Sequence, residues 1–164
     1  VSPDAQPEDR EPDMKQAAIN SFRSYIEPVF RRPDYVQTAA LCLRDGVDGP
    51  EVLLISSLSS RRWILPKGWP MRGRTLAEAA LQEAWEEAGV KGTVSEPSLG
   101  AFSYQKLVKG GIPVTCRCEV YHVQVQDLAG TFPEQGRRKR KWVPVAKAAS
   151  LVAEPELKAI LADL

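Results

Sequence analysis

Glu83, Glu86 and Glu87 crowd one short stretch of the chain, and no lysine or arginine occurs from Thr75 to Val90. On a helix turning about 100° per residue they fall within about 100° of arc, while Ala77, Leu81, Ala84, Trp85 and Ala88 occupy a different side. An acidic helix face is ordinarily solvated and relieved by basic residues one turn away. This one has no such relief on its own helix. The three also sit in its last two turns, where the helix dipole disfavours each anion by roughly 0.3–1 kcal/mol. Two like charges about 4 Å apart repel by about 1 kcal/mol in water and about 4 kcal/mol at an effective dielectric near 20. Three carboxylates so placed call for a cation, and their hard oxygens favour Mg2+, with Mn2+ as a substitute. A metal site is therefore preferred here to a solvated face.

The elements that position them follow from local rules. Thr75 with Glu78 three residues on forms a capping box, so a helix is expected to start near Leu76. Gly89 stands where a left-handed residue ends a helix, so the chain should turn out after Ala88. The preceding residues, from Trp63, form a loop rich in Gly and Pro.

Gly68, the loop, and then Gln82-Glu83-Ala84-Trp85-Glu86-Glu87-Ala88-Gly89-Val90 resemble the Nudix box, Gly-x5-Glu-x7-Arg-Glu-U-x-Glu-Glu-x-Gly-U with U aliphatic. The resemblance implies a loop-helix-loop that binds divalent metal and hydrolyses a diphosphate linkage. It implies that Glu83, Glu86 and Glu87 are metal ligands and that Glu83 or Glu86 positions or deprotonates the attacking water. Two positions depart from the pattern: Arg74 replaces its first Glu, and Gln82 replaces its Arg. That Glu and Arg usually pair, and losing both together strands no charge; Arg74 is expected to meet Glu78 instead. The segments TAALCLRDG, EVLLISSLSSRRWILPKGW and GRRKRKWVPVAKA are similar, in order and spacing, to the diphosphoinositol polyphosphate phosphohydrolase branch. That similarity implies inositol pyrophosphates or dinucleoside polyphosphates, such as diadenosine penta- or hexaphosphate, as substrates. Val36 and Thr38 stand where that branch would carry basic residues. Other substrate classes of the family (an RNA 5′-end, a nucleotide sugar, a nucleoside triphosphate) are the alternative, and a non-catalytic sensor of phosphate ligands is a third reading.

Candidate phosphate contacts are Arg61 and Arg62 before the loop, Lys67 beside Gly68, and Arg137 and Lys139 in the dense basic run from Arg137 to Lys141. Such a run is more often a solvated loop, but a polyphosphate beside three carboxylates needs positive charge. His122, the only histidine, reads as a packed core residue. Glu119 reads as a structural ion pair rather than a further metal ligand. Trp69 reads as packing on the loop, with stacking on a base as the alternative.

Strands are expected over Tyr35 to Leu43, Glu51 to Ser56, Val94 to Leu99, Ala101 to Val108, Val114 to Val125 and Trp142 to Val145. Helices are expected over Ala146 to Leu151 and Glu156 to Leu161. The whole is an α/β fold, a mixed sheet with helices on both faces, in keeping with the α/β/α sandwich the resemblance implies. Residues 1–13, acidic and Pro-rich, read as a disordered tail. Met14 to Tyr25 reads as a short helix, and residues 14–164 as a single domain. The 164 residues are 43% hydrophobic with a formal net charge of +1, a composition that fits an ordinary core. No apolar run approaches the roughly 18 residues of a membrane span, so no membrane association is expected. Three cysteines, an odd number without metal-ligand spacing, argue for a reducing cytoplasm. The expected partner is a small-molecule polyphosphate.

Overall fold

The computed structural model describes residues 35–164. The expected tail over 1–13 and helix over Met14 to Tyr25 lie outside the described residues. Eight strands run as β1 (Tyr35–Gly46), β2 (Gly49–Ser56), β3 (Trp63–Ile64), β4 (Lys67–Gly68), β5 (Val90–Val94), β6 (Gly100–Leu107), β7 (Pro113–Leu128) and β8 (Arg140–Pro144). The helices are α1 (Leu76–Ala88), α2 (Val145–Ala148) and α3 (Pro155–Ala162).

β1 is central. It pairs antiparallel with β2, parallel with β7 and antiparallel with the short β4, while β6 and β5 line β7 and β8 lines β2. One parallel pair among antiparallel ones makes the sheet mixed, as expected. Thr38 to Cys42 are buried because both faces of β1 are covered, which is why its sequence reads as a continuous apolar run rather than an alternation.

Side chains alternate across a strand, and that parity divides the core in two. Ala39, Leu41, Val52, Leu54 and Val120 face Ala148, Val152, Leu157 and Leu161 around α2 and α3. Ala40, Cys42, Leu53, Ile55 and Val123 face Ala80, Ala84 and Ala88 of α1. The result is an α/β/α sandwich in which three alanines bring α1 close to the sheet.

Several boundaries differ from expectation. The strand expected over Val94 to Leu99 is instead β5, Val90–Val94. Gly89 reverses the chain at once, Val90 is buried and paired with Leu128, and Ser95 to Pro97 then bend away, Pro97 having no N–H to donate. The helix expected over Ala146 to Leu151 is only α2, Val145–Ala148, because the N–H groups of Ser150 and Leu151 bond three residues back and tighten into a turn. β1 and β2 extend further towards each other than expected, leaving Val47-Asp48 as a two-residue turn.

Candidate active site

Both ends of α1 are fixed as the sequence dictates. Thr75 Oγ1 accepts from Glu78 N at 3.2 Å, and Thr75 N donates to Glu78 Oε2 at 2.8 Å. Gly89 adopts φ 70°, ψ 22°, and its N–H donates to Trp85 O at 2.9 Å. Because Thr75 takes the Glu78 carboxylate, the expected Arg74–Glu78 pair does not form among the described residues.

The loop ahead of α1 is tied to the sheet through β4, with Thr38 opposite Gly68 and Ala39 opposite Lys67. Thr38 Oγ1 donates to Leu76 O at 2.8 Å, joining β1 to the first residue of α1. Gly68 is held against the Glu83 carboxylate so closely that a Cβ there would overlap it. This approach, rather than backbone freedom, is what requires glycine at 68.

The three carboxylates have unequal surroundings. Glu83 is partly buried and has no hydrogen-bond partner among the described residues. Burial, then the charges of Glu87, Glu86 and Glu134, push its carboxyl up to about 7. Glu86 accepts from Gln82 Nε2 at 2.7 Å, so the residue replacing the pattern's Arg braces a neighbour one turn on. Glu87 is 7% exposed and is bonded to the Arg138 guanidinium, while Lys67 N–H donates to its other oxygen at 2.9 Å. Burial raises its carboxyl, and the Lys67 N–H and Arg138 draw it back.

One expectation is thus corrected. The helix supplies no counter-charge, but the fold supplies one: Arg138, with its side chain 9% exposed, also donates to Glu134 Oε2 at 2.7 Å and to Ser56 O at 3.3 Å. Sequence reasoning passed over Arg138 in favour of its two neighbours, and passed over Glu134, a fourth carboxylate whose N–H donates to Glu86 O at 2.9 Å. The basic run marked the segment but not which of its members turns inward.

No three His, Cys, Asp or Glu side chains among the described residues converge as a ready-made metal cage. The donor set nevertheless fits Mg2+, which keeps several waters and needs only one or two protein carboxylates beside substrate phosphates. Glu83, whose ionisation its neighbours oppose, and the remaining oxygen of Glu86 have no partner among the described residues, while Glu87, the third expected ligand, is bonded to Arg138.

The two basic segments meet. Arg61, at φ 58°, donates through Nη1 to Arg137 O at 3.2 Å, and Ser56 exchanges hydrogen bonds of 3.0 and 2.9 Å with the Lys139 backbone. Arg137 also reaches Glu134 at 3.1 Å, and the Lys139 side chain is exposed. Arg62 turns instead to Ser60 Oγ at 3.2 Å and to Glu154 at 3.9 Å. The Lys67 ammonium lies 4.7 Å above the Tyr104 ring, and burial lowers its pKa. Tyr104 is in turn bonded to the buried Gln37.

Glu119 forms the expected ion pair, 3.0 Å from Arg117, and accepts from Ser98. His122 is partly buried with its Nε2 unbonded. Trp69 packs edge to face on Tyr35 at 5.6 Å and 77°, with the Lys106 ammonium 4.5 Å from its ring centre.

A family model described as NUDIX domain matches residues 35–164. Nudix hydrolase 13, mitochondrial, of Arabidopsis thaliana is 34% identical over 110 residues, 62% of this chain and 52% of that protein. Diphosphoinositol polyphosphate phosphohydrolase 3-alpha of Homo sapiens is 30% identical over 135 residues, 81% of this chain and 76% of that protein. The chain spans about half the length of the curated relatives it matches first. Among solved structures, a C. elegans Ap4A hydrolase binary complex superposes with a TM-score of 0.57 at 21% identity, covering 77% of this chain and 92% of that one. A NUDIX hydrolase from Nitrosomonas europaea gives 0.60 at 17%, covering 80% and 88%. These two share the fold.

Proposed function

This chain belongs to the NUDIX family, and from that premise we propose that it hydrolyses a diphosphate linkage in a small polyphosphate, an inositol pyrophosphate or a dinucleoside polyphosphate, with Mg2+ or Mn2+. The relatives named for diphosphoinositol polyphosphates and the fold shared with an Ap4A hydrolase support those two substrate classes. The observation that carries the reading is Glu83: a partly buried carboxylate with no partner among the described residues, opposed by Glu86 and Glu87, and pressed against Gly68.

A diphosphate is strongly anionic and resists attack by water. A bound divalent cation would neutralise developing charge and lower the pKa of the attacking water. Glu83 and Glu86 would hold it, and one of them would position or deprotonate the water that attacks phosphorus. The P–O–P bond breaks at the attacked phosphorus, giving two phosphorylated fragments. Arg138 and the Lys67 N–H fix Glu87 and keep α1 registered on the loop. Arg61, Arg137 and Lys139 supply positive charge at the edge for the remaining phosphates. The proposed setting is a reducing compartment such as the cytoplasm, which suits three buried cysteines that form no disulfide among the described residues.

The bond between Arg138 and Glu87 favours one other reading, in which the site binds a phosphate ligand without turning it over. A panel of diphosphate substrates with Mg2+ and with Mn2+ separates the two. Turnover of a diadenosine polyphosphate or an inositol pyrophosphate, lost in Glu83→Gln, supports the hydrolase. Ligand binding without turnover of any substrate replaces it with the sensor.

A further inference from the structure

Four carboxylates meet beside α1, where Glu83 feels the charges of Glu86, Glu87 and Glu134. One guanidinium is bonded into this group. Arg138 reaches Glu87 Oε1 through Nη2, Glu134 Oε2 through Nε at 2.7 Å and Ser56 O through Nη1 at 3.3 Å. Other cations nearby face elsewhere: Arg137 meets Glu134 from an exposed side chain, and the Lys67 ammonium is turned to the Tyr104 ring.

The two partners of the Arg138–Glu87 bond depend on it unequally. Without it, Arg138 keeps an ion pair to Glu134, four residues before it, and a bond to the Ser56 carbonyl. Its own segment stays fastened to β2, because Ser56 N–H donates to Lys139 O and Lys139 N–H to Ser56 Oγ. Glu87 keeps only the neutral Lys67 N–H on Oε2, and a buried carboxylate without a counter-charge is costly. Only another cation can therefore take the place of Nη2. A divalent ion at the same separation attracts the carboxylate twice as strongly.

We propose that Arg138 is a resident counter-ion, a positioning residue that holds Glu87 in the metal-free chain and yields Glu87 Oε1 when a divalent cation enters, while the Lys67 N–H keeps Oε2 and Glu134 keeps the guanidinium. Glu87 is then a ligand on condition of this exchange, and α1 stays registered on the loop in both states. The inference rests on the hydrolase reading for the presence of a divalent cation, not for turnover. A permanent brace, with the cation on Glu83 and Glu86 alone, predicts effects of opposite sign: removing Arg138 would misplace Glu87 and the helix, and metal binding would weaken.

The test is calorimetric titration of Mg2+ and Mn2+ into the full chain and into Arg138→Gln, with thermal melts in the presence and absence of Mg2+. Exchange predicts that the variant melts lower than the parent without metal, binds the cation at least about tenfold more tightly, and gains more melting temperature from Mg2+ than the parent does. Nitrogen NMR of the arginine side chains reads the same event in the parent, with Arg138→Lys to assign the signals, and does not depend on the folding of Arg138→Gln. Saturating Mg2+ should shift the Arg138 Nη2 signal and leave Nε, bonded to Glu134, protected from exchange. Equal or weaker metal binding by Arg138→Gln, or an Nη2 signal unmoved at saturation, overturns the exchange and leaves the metal-dependent reading standing. No metal uptake by either protein overturns both.

Discussion

Glu83 carries a proton in the fold that it would release in the unfolded chain. Its carboxyl is pushed from 4.5 to about 7, first by burial and then by Glu87 and Glu86. Between those values the folded state binds more protons, so stability falls as pH rises through the window. The metal-free chain should melt lower at about pH 8 than at about pH 5.5, and Glu83→Gln should shrink that difference. A parent melting temperature that rises across the window, or an equal drop in the variant, would show that Glu83 is not the titrating group. Arg138 makes a second prediction at this scale. Its removal leaves Glu87 buried without a counter-charge, a loss of about 3–5 kcal/mol for a buried pair, readable by urea unfolding, whereas Arg74→Ala should cost little because Arg74 is exposed and outside the Glu78 pairing. The charged face of α1 was legible from spacing alone. Its counter-charge was not, because Arg138 lies 51 residues away from Glu87 and nothing local distinguishes it from Arg137 or Lys139.

At the scale of elements, the site depends on how α1 is held against the loop. Gly68→Ala places a methyl group in the Glu83 carboxylate and should lower kcat far more than it lowers the melting temperature, since the carboxylate can swing aside while the fold persists. Comparable losses in both would assign Gly68 to stability instead. Thr75→Ala removes a helix cap and should cost about 1 kcal/mol of stability, with little effect on turnover once folded. The capping box and the Gly89 stop were readable because helix ends are written in a few adjacent residues. The start of β5 and the brevity of α2 were misjudged for the opposite reason: pairing with Leu128 and the turn at Ser150 are set by tertiary neighbours.

Across the whole molecule, parity in β1 and β2 carries the architecture. Alternate residues of TAALCL and EVLLIS feed two separate cores, and helices on both faces were expected from the order of strands and helices along the chain. What stayed hidden was which residues lie beyond the packed core on the face covered by α2 and α3. The polar cluster of Gln37, Tyr104 and Lys67 and the ring pair of Tyr35 and Trp69 join residues from three strands and a loop, and their sequence separations exceed any local pattern. If cation and substrate meet at the carboxylate cluster, a divalent cation and a dinucleoside polyphosphate should together raise the melting temperature by more than the sum of their separate shifts. Strictly additive shifts would mean two unconnected sites.

Glu83, unpaired among the described residues, is held to serve metal-dependent hydrolysis. The most direct test is the rate of diadenosine pentaphosphate cleavage by the parent and by Glu83→Gln, each with Mg2+ and with chelator. The account predicts turnover in the parent alone, abolished by chelator and lowered at least about a hundredfold by the substitution. Cleavage that survives the chelator, or a variant within a few-fold of the parent, would contradict it.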